Sequence, residues 1–264
     1  MLTAGVDVGN KNTKVVILDG DRIVARHLLP TGFVQGEAAR EAMAAALDRA
    51  GLKWADLAAV AATGSGRNEV EFAGERITEV GADARGAILL VPGARTVVDV
   101  GAEEGRAVSL DAAGRVSDFA MNEKCAAGTG SFTEAMARAL EVELDELGPL
   151  ALRSTRVVPM NAQCVVFAES EVVSLIHART PREDIARAVV EAMAGRIVAM
   201  ARRVGARPEV VLAGGVAKNA GFVRAFEEGL GLPVAVPDGP EYVTALGAAC
   251  AARDKVGSGG KVGG

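Results

Sequence analysis

One pattern occurs twice in this chain and limits its fold more than any other feature. A short apolar run, Ala4 to Val8, carries Asp7-Val-Gly9 at its end, and 92 residues later Thr96 to Val100 carries Asp99-Val-Gly101. Two more extended segments follow each copy. Lys14 to Leu18 and Arg22 to Leu28 flank Asp19-Gly20-Asp21, while Arg106 to Leu110 and Arg115 to Ala120 flank Asp111-Ala-Ala-Gly114. Short apolar runs bounded by Asp and Gly read as strands, and these turns as hairpins. In the first copy an alanine-rich helix follows, Glu37 to Ala50, with Gly51 placed to cap it. In the second a long helical region follows. A supersecondary unit that returns in this way implies an internally duplicated α/β fold. The expected layout is one lobe over residues 1–94 and a second over 95–240. A helix over 241–253 packs back on the first lobe, and the glycine-rich 257–264 forms a disordered tail.

Finer signals mark the remaining elements. Leu57 to Ala62 reads as a strand ending in Thr63-Gly-Ser-Gly-Arg67, and Val210 to Ala213 as one ending in Gly214-Gly-Val-Ala-Lys-Asn219. Ser131 with Glu134 fits a capping box at a helix start. Thr180-Pro181-Arg182-Glu183 supplies an N-cap followed by proline at the first helical position, in a helix that stops at Gly205.

Composition excludes several classes. At 50% hydrophobic and 24% charged, the 264 residues can bury a sizeable core. A net charge of -5 gives no general attraction to nucleic acid or an anionic membrane surface. No run reaches the ~18 apolar residues of a membrane span, and Asp7 interrupts the apolar stretch a signal peptide would need. A cytoplasmic protein is expected, without nucleic-acid or membrane partners. Aromatic residues are 3% of the chain, so adenine contacts would come from backbone and aliphatic groups.

An Asp-x-Gly at a strand end lets backbone amides approach phosphate oxygens, while the acid can hold magnesium directly or through water. One copy is common turn chemistry; two in matching positions, with a Gly-Gly loop after a later strand, point to nucleotide phosphates. The layout resembles the actin, sugar kinase and heat-shock chaperone ATPases, a duplicated ribonuclease H-like fold with a nucleotide cleft between lobes. By position, that resemblance places Asp7, Gly9, Asn10 and Lys11 in a first phosphate loop. It places Asp99, Gly101 and Ala102 in a second, and Gly214, Gly215 and Lys218 on the adenosine side. ATP and Mg2+ are the implied ligands.

The chain has three cysteines, an odd number that argues against a disulfide framework in a reducing compartment. Cys250, in an alanine-rich stretch, reads as a small core residue. Cys125, in Asn122-Glu-Lys-Cys-Ala-Ala-Gly-Thr-Gly130, and Cys164, in Ala162-Gln-Cys-Val-Val-Phe-Ala-Glu-Ser-Glu171, each precede a helical stretch. Amides and dipole at a helix start favour a thiolate. Two thiolates cannot complete a four-cysteine site alone, whereas two chains can. Zinc on four such cysteines, or two ordinary buried thiols, are the other readings.

Together these runs and Gly214-Gly-Val-Ala-Lys-Asn219 resemble the BadF/BadG/BcrA/BcrD-type ATPases, which activate 2-hydroxyacyl-CoA dehydratases or drive benzoyl-CoA reductases. The resemblance extends from Gly5 to about Ala252. It implies one [4Fe–4S] cluster bridging two subunits through Cys125 and Cys164, with Gly128, Thr129 and Gly130 among the cofactor-binding residues. It further implies ferredoxin as electron donor and iron–sulfur substrate-binding subunits as acceptor. Asp7, Asp99 and Glu103 are the catalytic candidates. Dehydratase activators usually carry Asp-Ile-Gly-Gly-Gln-Asp, whereas this chain has Asp99-Val-Gly-Ala-Glu-Glu. Glu103 in the glutamine position resembles the smaller ATPase subunit of benzoyl-CoA reductase, paired with a paralogous ATPase subunit. A homodimeric dehydratase activator and a cluster-free sugar-kinase-like phosphotransferase are the alternatives. Glu169 and Glu171 are interface candidates, and Arg67 and Arg106 phosphate or partner candidates without an assigned role. His27 and His177 lack metal-ligand spacing.

Overall fold

The computed structural model describes residues 1–122, 129–160 and 165–259; Cys125, Gly128 and Cys164 lie outside them. The chain divides into two compact units. One comprises Met1–Gly93, Ala112–Val116 and the chain from Glu241 onward, and the other Ala94–Asp111 and Ser117–Pro240.

In the first unit, β1 (Leu2–Val8), β2 (Asn12–Asp19) and β3 (Arg22–Pro30) form an antiparallel meander. Helix α1 (Gln35–Ala50) leads to β4 (Leu57–Thr63), which lies parallel to β1, and the two-residue β5 (Glu75–Arg76) extends the sheet before α2 (Glu79–Leu90). Gly51 ends α1 in the left-handed region at φ 66°, as the sequence leads one to expect.

The second unit begins the order again. It runs through β6 (Thr96–Val100), β7 (Gly105–Leu110) and β8 (Val116–Asn122), then α3 (Gly130–Ala139), α4 (Leu144–Leu152), α5 (Val165–His177) and α6 (Arg182–Arg203). It closes with β9 (Val210–Ala213), α7 (Ala220–Leu230) and β10 (Val234–Ala235). Strand order is β3-β2-β1-β4-β5 in one sheet and β8-β7-β6-β9-β10 in the other. In both, the first strand of the unit is central, antiparallel to the second and parallel to the fourth. This is the duplicated α/β, ribonuclease H-like arrangement. Helix α8 (Val243–Gly259) belongs to the first unit and runs beyond residue 253, where the sequence suggested its end.

Strand alternation explains how α1 and α8 cover opposite faces of the first sheet. Val15 and Ile17 bury against Ala39, Ala42, Met43 and Leu47 of α1, whereas Val16 and Leu18 bury against Ala245, Leu246, Ala249 and Cys250 of α8. Full burial of each Val, Ile or Leu contributes about 1.5–3 kcal/mol. In the second unit Phe132, Met136, Ile185, Met193, Phe222 and Phe226 build one continuous core against β6 and β7.

Two helix starts differ from expectation. Ser131 and Glu134 form no capping box: the N-cap of α3 is Thr129, without a side-chain cap. The first amides of α3 have tertiary partners instead, Gly130 N–H donating to the Gly101 carbonyl at 2.9 Å and Ser131 N–H to the Ala102 carbonyl at 2.8 Å. Helix α6 starts at Arg182, one residue later than the Thr180 cap implies, because Pro181 is extended at ψ 139°.

Candidate functional site

Asp7 is the penultimate residue of β1 and Asp99 that of β6, both in the centre of their sheets. Each is followed by the same tight turn: Gly9 N–H donates to the Asn12 carbonyl at 3.1 Å, and Gly101 N–H to the Glu104 carbonyl at 2.9 Å. Each acid is nearly enclosed, at 6% and 4% exposure, so each carboxylate needs a partner inside the protein. Strand register supplies it. Asp7 lies opposite Lys14 and Asp99 opposite Arg106. Lys14 Nζ donates to Asp7 Oδ2 at 2.9 Å. Arg106 Nη2 donates to Asp99 Oδ1 at 3.0 Å, and its Nη1 to Glu104 Oε2 at 3.2 Å.

The parallel neighbour completes each copy. Beside Asp7 stands Thr63 of β4, and beside Asp99 stands Ala213 of β9. Each is followed by a left-handed glycine, Gly64 at φ 91° and Gly214 at φ 86°. A Cβ on Gly64 would lie 2.4 Å from the Val8 carbonyl oxygen, and one on Gly214 2.2 Å from that of Val100. Both conformation and space therefore demand glycine. The Thr63-Gly-Ser-Gly run, unassigned from sequence, is thus the first unit's counterpart of the Gly-Gly loop.

The two turns are tethered differently. In the first unit Thr31 donates its amide to the Lys11 carbonyl at 2.9 Å and its hydroxyl to the Gly9 carbonyl at 2.8 Å. In the second, the tether is the first turn of α3 on Gly101 and Ala102.

The first unit thus gathers Asp7, Gly9, Asn10 and Lys11; Asn10 Oδ1 accepts the Ser65 hydroxyl at 2.6 Å, and Lys11 is exposed. The second gathers Asp99, Gly101, Ala102, Thr129, Gly130 and Gly214. A Cβ on Gly130 would lie 3.6 Å from Val216 of the Gly214 loop. Thr129 is buried, and Gly215 and Lys218 are exposed. Glu103 stands exposed in its turn, and its neighbour Glu104, not Glu103, engages Arg106. Cys125, Cys164 and Gly128 lie outside the described residues. Arg67 donates to the Gly64 carbonyl at 3.0 Å, bracing that loop. Lys14, Arg106 and Gly64 carry the geometry that sequence reading left unassigned. For the two cations the signal was present: an acid with a cation seven residues later, twice at the 92-residue offset.

Each loop offers backbone amides, a fixed carboxylate and a nearby cation, a combination suited to phosphate oxygens and a hydrated divalent ion. Duplicated sheets with such loops define the actin, sugar kinase and heat-shock chaperone class of nucleotide-binding folds. Within it, the chain belongs to the BadF/BadG/BcrA/BcrD ATPase family, whose model matches residues 4–252. It is 42% identical to the activator of lactoyl-CoA dehydratase from Anaerotignum propionicum over 94% of this chain and 96% of that one. It is 34% identical to a benzoyl-CoA reductase subunit from Thauera aromatica over 94% and 92%. The solved activator of the 2-hydroxyisocaproyl-CoA dehydratase from Clostridium difficile, with bound ADPNP, superposes with a TM-score of 0.94 at 36% identity, covering 100% of this chain and 98% of that one.

Proposed function

We propose that this chain is an ATP-hydrolysing electron-transfer protein that activates a 2-hydroxyacyl-CoA dehydratase. The observation that carries this reading is the 42% identity to such an activator over nearly the full length of both chains. The sequence had favoured the small ATPase subunit of a benzoyl-CoA reductase, which acts on an aromatic acyl-CoA. That remains the second reading, supported by Glu103 and by the 34% match to the Thauera aromatica reductase.

In both readings Asp7 and Asp99, each in its own unit, are the residues that would hold magnesium, which would supply charge neutralisation for the phosphates. Each carboxylate already pairs with a cation, which fits an outer-sphere role for an ion that dehydrates reluctantly. Gly9, Asn10, Lys11, Gly101 and Ala102 receive phosphate oxygens, with Gly214, Gly215 and Lys218 toward the nucleoside. Glu103, exposed in its turn, orients the attacking water; positioning and charge are what phosphoryl transfer chiefly requires. A [4Fe–4S] cluster held by Cys125 and Cys164 of two chains would supply one-electron transfer from ferredoxin to an iron–sulfur acceptor. Helix α3 begins on the carbonyls of Gly101 and Ala102, and Gly130 follows Cys125 by five residues. On this reading a change at the second turn would reach Cys125 through two backbone hydrogen bonds to the start of α3 and five residues of chain. The site of action is the cytoplasm, where thiols stay reduced; no described helix is long and apolar enough to cross a membrane.

The test is anaerobic purification followed by iron and acid-labile sulfide determination, reduced-state EPR, and ATP-dependent electron delivery. About four irons per dimer is expected, lost in Cys125→Ser or Cys164→Ser. Iron-free protein that hydrolyses ATP would remove the electron-transfer reading and put a kinase-like one in its place. Activation of a 2-hydroxyacyl-CoA dehydratase, against support of benzoyl-CoA reduction with a paralogous subunit, separates the two acceptors.

A further inference from the structure

Lys14, Asp7 and Thr63 are register partners on three adjacent strands, so their side chains share one face of the first sheet. The middle one is pulled in two directions. Asp7 Oδ2 accepts from Lys14 Nζ at 2.9 Å, while Oδ1 lies toward the end of β4, 2.6 Å from the position a Cβ on Gly64 would take. Thr63 is fully buried, and its hydroxyl has no hydrogen-bond partner among the described residues. A buried hydroxyl left unmatched is unfavourable, and a valine of the same shape would avoid that cost. The matching position in the second unit, beside Asp99, is indeed apolar, Ala213.

We propose that Thr63 is a positioning residue for ATP hydrolysis, holding Asp7 when phosphate oxygens draw the Lys14 ammonium away. Phosphate forms strong charge-assisted hydrogen bonds with an ammonium group. Its arrival removes the partner of Asp7 Oδ2 inside a nearly closed pocket. The Thr63 hydroxyl then donates to Oδ1, so that the carboxylate keeps its orientation toward the hydrated metal. No bond is made or broken by Thr63; its role is geometric. The second sheet needs no such residue, because Arg106 spans Asp99 and Glu104 with two separate donors.

This inference rests on the ATPase reading, and the experiment separates the two. Steady-state ATPase activity and thermal unfolding are measured for the full chain and for Thr63→Val, Thr63→Ser and Thr63→Ala. The expected result for Thr63→Val is a kcat lowered about tenfold with KM for MgATP changed by less than about twofold, because Thr63 orients Asp7 for the chemical step and does not itself touch ATP. Its unfolding temperature should equal or exceed that of the parent, since an unpartnered hydroxyl is removed. Thr63→Ser should restore activity, and Thr63→Ala should match the valine variant in kcat. A valine variant with parental kcat, a serine variant as slow as valine, or a valine variant of lowered unfolding temperature overturns the proposal. In the first two cases the ATPase reading stands; a parent chain without ATPase activity overturns both.

Discussion

The two Asp turns are built on one backbone and held by different side chains. On the first, an ammonium faces Asp7, and a threonine from the loop after β3 ties down the Gly9 and Lys11 carbonyls. On the second, a guanidinium grips both Asp99 and Glu104, and the first turn of α3 ties down Gly101 and Ala102. Asn12 stands where the second copy has Glu104, so the first copy offers no second carboxylate at the matching position. Lysine is a flexible point charge and arginine a rigid fork. The first turn thus has a partner able to exchange, whereas the second has one that fixes its shape.

The contrast is best tested first where the copies should behave alike. Gly64→Ala and Gly214→Ala each force a side chain into the left-handed region with a carbonyl oxygen under 2.5 Å away. Each should lose about 3–5 kcal/mol of stability, from strain plus displaced backbone. Urea unfolding measures it; a large loss at one glycine alone would show that the two loops are not equivalent. Next in size is the contrast between the acids. Asp99→Ala takes from Arg106, whose side chain is 8% exposed, the more enclosed of its two carboxylate partners and leaves it Glu104, and should cost about 2–3 kcal/mol. Lys14 is 18% exposed and flexible enough to reach water, so Asp7→Ala should cost about 1–2 kcal/mol. Equal losses would contradict the distinction drawn between the two turns.

Much of this was legible in the chain itself. The duplication, the hairpins after each Asp-x-Gly and the Gly51 cap follow from period-2 patterning and turn residues, which act locally. What escaped notice depends on distant pairing. Two-residue strands such as Glu75–Arg76 and Val234–Ala235 carry no periodicity. The α3 start has its amides satisfied by a loop almost thirty residues upstream, which no local capping pattern encodes. Lys14 and Arg106 become site residues only once strand register sets them opposite the acids. The choice between the two proposed readings is least legible, because one turn residue, Glu103, favours the reductase subunit whereas the 42% full-length identity favours the dehydratase activator.

Cysteine chemistry gives a third contrast. Cys250 is packed among Val16, Leu18, Leu246 and Ala249 of the first unit, and burial pushes its thiol from 9.0 up to about 11. Between those values the unfolded chain releases the proton while the native chain keeps it, so stability falls as pH rises from 9.0 to about 11. The loss should be on the order of 2 kcal/mol, absent in Cys250→Ala when the two pH curves are subtracted. In native protein near neutral pH this thiol should resist iodoacetamide.

The smallest effect tests the clamp itself. Arg106→Lys keeps the charge beside Asp99 but cannot reach Glu104 at the same time, so about 1 kcal/mol should be lost. Lys14→Arg offers no matching gain, because Asn12 presents no carboxylate. A double-mutant cycle with Glu104→Gln isolates the second arm. If the guanidinium spans both residues, Arg106→Lys should cost much less in the Glu104→Gln background than in the parent. Additive losses would mean that Glu104 is a bystander, leaving both acids with single-point partners and the tether through α3 as the remaining difference between the turns.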